Sequence, residues 1–234
     1  MINIYNKNDK TLDFIGVFFV CTLRGGKMSL VIGIVDKEKV VLASDSQVTI
    51  GGVRKISKKK DNYKIWHPDE RKEILIGTVG SVREMNVTRY IENLVDEVTY
   101  LKDEVDMRYV SNKVVKKILK ELKDANVINT KENVLNMNNS YLLASKNCLF
   151  QIFSDGAVMQ IDNYTAIGSG SNEAIASLNN SEGKTPIERI KLAMDASSKN
   201  DIFVDYPLVI SSTNILDFTV LEGSDHKNKR SDKI

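Results

Sequence analysis

"SLVIGIVDKEKVVLASDSQVTIGG", residues 29–52, decides how the rest of the chain is read. Two β-branched apolar runs, residues 30–35 and 40–45, flank the polar stretch DKEK, which is the pattern of a hairpin. The second run ends on an acid, Asp45. An alternating stretch, residues 46–56, follows with Gly51-Gly52 at its turn, and "SKKKDN" makes a charged loop. "YKIWH" (63–67) and "EILIGTVG" (73–80) read as two more strands, and Pro68 between them forbids regular pairing there.

Beyond residue 80 the period changes from 2 to 3.6. Met85, Tyr90, Ile91, Leu94, Val95 and Val98 form a helical stripe between Val82 and Leu101, and "VSNKVVKKILKELKDAN" repeats the pattern with Ser111 as its cap. An asparagine-rich loop, residues 129–140, leads to three strands, "YLLASK", "CLFQIFS" and "AVMQIDN". "GSGSNEAIASLNN" opens a helix, and "TPIERIKLAMDASSKN" forms another, with Thr185 as cap, Pro186 in the first turn and Glu188 completing a capping box. "YPLVISST" closes the order. Strands, two helices, strands, two helices and a strand predict an α+β architecture, a four-layer αββα sandwich of two antiparallel sheets. One domain is expected over residues 28–222, preceded by an upstream extension, 1–27, and followed by a charged flexible tail, 223–234.

Composition narrows the class of function. The 33 basic and 31 acidic residues of this 234-residue chain nearly cancel, which argues against nucleic acid or a membrane surface as partner. Two cysteines (Cys21, Cys148) and two histidines (His67, His226) show no paired spacing, so neither a disulfide framework nor a zinc cluster is expected, and a reducing cytoplasm fits. The apolar run "FIGVFFVCTL", residues 14–23, is short of the roughly 20 residues that span a bilayer. Its length suits a secretory signal core, but Asp13 at its edge, a preceding segment that is not clearly basic and the lack of a small-residue cleavage site argue against secretion.

The chain has no G-x-S-x-G elbow, no H-E-x-x-H and no P-loop lysine. "GSGSN" (168–172) has the glycines of a phosphate cradle without a lysine, and reads more simply as a strand-to-helix turn. What remains is Ser29 at a strand start, Asp45 at a strand end and lysines beyond the next hairpin. A hydroxyl nucleophile needs a base, and a free α-amine with a pKa of about 8 serves when the nucleophile is itself the first residue. A nearby lysine lowers neighbouring pKa values, and an acid holds that lysine. Singly, Asp45 is an ordinary turn acid, Lys64 a solvated lysine and Ser29 a common polar residue; their joint order favours chemistry.

"LVIGIVDKEKVVLASDSQVTIGG", "YKIW", "ILIGTVGSVREMN" and "AIGSGSNEAIASL" together resemble the proteasome β-type peptidases, a family of N-terminal nucleophile hydrolases that includes bacterial ATP-dependent heat-shock peptidases. The likeness runs from about Ser29 to about Ile210. It implies that Ser29 stands where the family has its N-terminal threonine, that Asp45 orients a catalytic lysine, and that Gln47 matches a polar or basic position. Lys64 is the best match for that lysine, with Lys60 as the alternative. Gly80 falls on the glycine whose N–H faces the oxyanion, Ser169 on the serine that bonds the terminal amine, and Asp201 on a supporting acid. Where the family often has a serine-glycine pair, this chain has "FVDYP", a departure that weakens the match around Asp201. Serine lacks the methyl that restrains threonine's rotamer, which implies a slower reaction. Val48, Thr78 and Val82 fall on the family's first substrate pocket.

The resemblance also implies rings of like subunits, a polypeptide substrate, an ATP-dependent unfoldase as partner and no cofactor. A non-catalytic shell subunit and an acyl-transfer or small-amide enzyme are the competing expectations. Residues 1–27 are read either as a propeptide or as upstream of the true start at Met28, since "RGGK" can be encoded by a purine-rich ribosome-binding stretch. Only their absence frees the amine of Ser29.

Overall fold

The alternation of apolar residues along the strands sorts the core into three slabs. In β1 (Leu30–Asp36) and β2 (Lys39–Ser44), Val31, Val40 and Leu42 face a second sheet, whereas Ile32, Ile34, Val41 and Ala43 face helices. This is the period-2 geometry of a pleated strand buried on both faces. The computed structural model describes residues 28–50, 53–97, 99, 105–128, 130–131 and 134–223. The sequence expectations for residues 1–27 and for most of the tail lie outside them.

Further along are β3 (Gln47–Ile50), β4 (Val53–Ile56), β5 (Ile65–Trp66), β6 (Ile74–Val79), α1 (Val82–Arg89), α2 (107–124) and the short β7 (Thr130–Lys131) and β8 (Val134–Leu135). Then follow β9 (Ser140–Ser145), β10 (Cys148–Ile152), β11 (Val158–Ile161), β12 (Tyr164–Gly168), α3 (Ser171–Asn179), α4 (Pro186–Asn200), β13 (Leu208–Ser212) and β14 (Thr219–Leu221). One sheet has the order β12-β1-β2-β13-β14 and the other β11-β10-β9-β6-β5, with antiparallel neighbours throughout. The inter-sheet slab holds Val31, Leu42, Leu75, Leu142, Leu149 and Val209. Residues of α3 and α4 cover the first sheet, and those of α1 and α2 cover the second. The expected four-layer αββα sandwich is therefore the observed one.

Three local expectations are corrected. The helix from Val82 ends at Arg89, where Tyr90 is exposed and Asn93 has a positive φ of 48°, and Glu97 and Thr99 are helical again, with Val98 and Leu101 outside the described residues. Ile91, Leu94 and Val95 are still buried, because tertiary donors tie the turn down: Arg71 donates to the Val95 carbonyl, and Lys117 to those of Glu92 and Asn93. Ser111 is not a cap. Asp106 is, accepting from the Tyr109 N–H at 2.7 Å, while Ser111 Oγ donates within the helix to Met107. The asparagine-rich loop contains the β7–β8 pair, and β12 and β14 complete sheet edges that composition alone did not mark. The capping box at Thr185 and Glu188 is present as expected.

Candidate functional site

Ser29 precedes β1 at one end of the sandwich and is 4% exposed. The next residue, Leu30, pairs in register with Gly168 at the end of β12, where φ is +108° and an added Cβ would lie 2.1 Å from the Ser29 carbonyl oxygen. Glycine is the residue that permits this approach. Directly after it, Ser169 Oγ accepts from the Ser29 backbone nitrogen at 3.2 Å and lies 3.4 Å from its carbonyl.

β2 runs antiparallel to β1 and delivers Asp45 beside the same strand start. Its carboxylate accepts from Leu30 N (2.8 Å), Gln47 N (3.0 Å) and Lys64 Nζ (2.6 Å). Lys64, just before β5, also donates to the Gln47 carbonyl at 2.6 Å. Both partners are buried, Lys64 at 6% exposure and Asp45 at 1%. Burial is the largest influence on each, lowering the ammonium's pKa and raising the carboxyl's; their mutual attraction opposes it on both, and the charge of Asp201 further supports protonated Lys64. The structure thus pairs Lys64 with Asp45 and leaves Lys60 in an exposed 3-10 turn, its Nζ 5.4 Å from the centroid of the Phe218 ring.

Asp201 ends α4. Its Oδ1 accepts from Phe203 N at 2.9 Å, and its buried Oδ2 has no partner among the described residues. Gln47 ties this loop to the centre, donating from Nε2 to the Ile202 carbonyl at 2.9 Å. Gly80 follows β6 with φ +127° and lines, with Ser29, Lys64, Thr78, Val48 and Val82, a cavity of about 50 Å³. All six residues singled out from the sequence, Ser29, Asp45, Lys64, Gly80, Ser169 and Asp201, therefore gather at one end of the two sheets. A larger cavity, about 610 Å³, opens elsewhere beside Trp66, His67, Arg89 and Phe218.

Sequence reasoning missed two groups at this end. Ser197 Oγ donates to the Gly170 carbonyl at 2.8 Å and braces the turn bearing Ser169. Asn139 and Glu84, both fully buried, bracket the Gly80 turn. Asn139 lies in a stretch read as loop, and Glu84 in a helix whose burial only the tertiary packing reveals.

A four-layer αββα sandwich with a hydroxyl residue at the start of β1, beside a buried lysine–aspartate pair, has the architecture of the N-terminal nucleophile hydrolases. A family profile described as "Proteasome subunit" matches residues 28–196, and the chain belongs to that family. Among solved structures, BPH of Thiobacillus denitrificans in complex with epoxomicin is similar at 13% identity and a TM-score of 0.60, with 78% of this chain and 97% of that one covered. Anbu of Yersinia bercovieri is similar at 13% identity and a TM-score of 0.59, covering 84% and 88%. HslV of Trypanosoma brucei gives 20% identity and a TM-score of 0.51, covering 83% and 99%. At these identities the likeness is one of fold. Comparison with curated proteins gave no match. No helix among the described residues is long and apolar enough to cross a membrane.

Proposed function

We propose that this proteasome-family chain is a peptidase whose nucleophile is Ser29 acting as the N-terminal residue. The observation that carries the reading is the buried Lys64–Asp45 pair beside the start of β1, with Ser169 already 3.2 Å from the Ser29 nitrogen. Once the residues before it are gone, the α-amine takes the hydroxyl proton and Oγ attacks a peptide carbonyl. Lys64, held protonated by Asp45 and Asp201, favours the alkoxide electrostatically, and the Gly80 N–H stabilises the oxyanion. The amine then returns its proton to the leaving amine, and water, deprotonated in turn, releases the acyl group.

The small cavity edged by Val48, Thr78 and Val82 fits a small uncharged side chain at the cleaved residue. On this reading like subunits form a ring enclosing the sites in the cytoplasm, with polypeptide supplied by an ATP-dependent unfoldase.

The test is the intact mass of protein expressed from its natural gene context, with and without a β-lactone that acylates N-terminal hydroxyls. A mass beginning at Ser29, plus one adduct absent from Ser29→Ala, is expected. A mass that keeps the residues before Ser29 and takes no label would overturn the reading and leave a shell subunit.

A further inference from the structure

Helix α1 opens with Ser81-Val82-Arg83-Glu84, the Ser-x-x-Glu spacing of a capping box. In α4 the equivalent box is closed: Thr185 Oγ1 accepts from Glu188 N at 3.4 Å, and Glu188 Oε2 accepts from Thr185 N at 2.9 Å. In α1 only half of it forms. Ser81 Oγ accepts from Glu84 N at 3.4 Å, but the Ser81 N–H goes to Asn139 Oδ1 at 2.5 Å. The Glu84 carboxylate turns inward instead and accepts from Asn138 N (2.9 Å), Asn139 N (3.1 Å) and Tyr141 OH (2.9 Å).

Capping does not explain this exchange. A local box would satisfy the helix start, whereas a fully buried carboxylate held by neutral donors carries a desolvation cost. None of the ion pairs among the described residues includes Glu84. The arrangement instead fixes Asn139, whose Nδ2 donates to Thr78 Oγ1 and to the Ser81 carbonyl, both at 3.1 Å. One side chain thereby grips the backbone and side chains on either side of Gly80. Thr78 Oγ1 in turn donates to the Ser140 carbonyl at 3.0 Å, and Val79 pairs with Ser140 across the sheet. Gly80 itself is pressed against this brace, since a Cβ there would lie 2.3 Å from Asn139 Oδ1 and 2.7 Å from the Asn138 carbonyl.

We propose that Asn139, held by Glu84, is a positioning residue that sets the direction of the Gly80 N–H toward the oxyanion. The inference rests on the peptidase reading above. It assigns the helix-start glutamate to the site's geometry in place of the helix cap.

The experiment compares wild type, Asn139→Ala and Glu84→Gln on a fluorogenic peptide and in the rate of acylation by the β-lactone, each folded by circular dichroism. Thr185→Ala, which opens the capping box of α4 at another end of the molecule, controls for lost stability. Deleting an oxyanion donor outright costs about 100- to 1,000-fold in kcat, so a misdirected one is expected to cost about 10- to 100-fold. Asn139→Ala should lose this in kcat and in acylation alike with KM little changed, Glu84→Gln should fall between it and wild type, and Thr185→Ala should keep wild-type kcat. A folded Asn139→Ala with wild-type kcat overturns the proposal. If Asn139→Ala does not fold, the near-isosteric Glu84→Gln decides by the same split. Wild-type protein inert to both peptide and lactone removes the peptidase reading and this one with it; active wild type with unchanged variants removes only this one.

Discussion

Asp45, buried at 1% exposure, receives three hydrogen bonds, two from backbone N–H groups and one from Lys64. Removing one member of such a buried pair strands the other, at a cost of about 3–5 kcal/mol. Asp45→Asn should therefore lower stability by that order at pH 7, measured by urea denaturation. The loss should shrink in alkaline solution. Burial lowers the folded pKa of Lys64 below its ordinary 10.5, so the unfolded chain binds the proton more readily and stability rises with pH across the window up to 10.5. Without Asp45, which raises the lysine's pKa, that window reaches further down and the variant recovers more as pH rises. An Asp45→Asn penalty equal at pH 7 and pH 10 would show that the lysine is not the stranded charge. Ser29 at the start of β1 and Asp45 at the end of β2 were legible in the sequence from the strand pattern, and Gly80 and Ser169 through the motifs that resemble the family's. Lys64 was already the better match there, with Lys60 left open, and it is the Lys64 amine that the fold turns inward onto Asp45.

Among the elements, the contact of the two sheets depends on missing side chains. A Cβ at Gly77 of β6 would lie 2.6 Å from Val31 Cγ1, and Val31 is a stiff β-branched side chain on a central strand. Gly77→Ala is expected to destabilise by about 1–3 kcal/mol, since overpacking outweighs the gain of a few tenths to 1 kcal/mol from a less flexible unfolded chain. An unchanged thermal midpoint would mean that the sheets can part without cost. At the helix ends, Thr185→Ala should cost about 1 kcal/mol by calorimetry, the ordinary worth of an N-cap. The capping box there was readable because it is local. The end of α1 was not: apolar spacing continues past Arg89, and tertiary hydrogen bonds from Arg71 and Lys117 stop the helix without interrupting the buried stripe.

For the whole molecule, the proposed chamber predicts a discrete oligomer of like subunits in sedimentation velocity, with peptidase activity confined to that species. Monomer at every concentration, or activity in the monomer, would remove the chamber while leaving the chemistry of Ser29 open to the mass experiment. By itself the sequence determined the strand alternation, the hairpin of β1 and β2, the capping of α4 and the family motifs, since each rests on spacing within a few residues. Which faces meet, how deeply Lys64 is buried, and that Asn139 and Glu84 bracket the Gly80 turn were decided only by the tertiary structure. Those relations join residues far apart in the chain, and burial and partner choice arise there from packing.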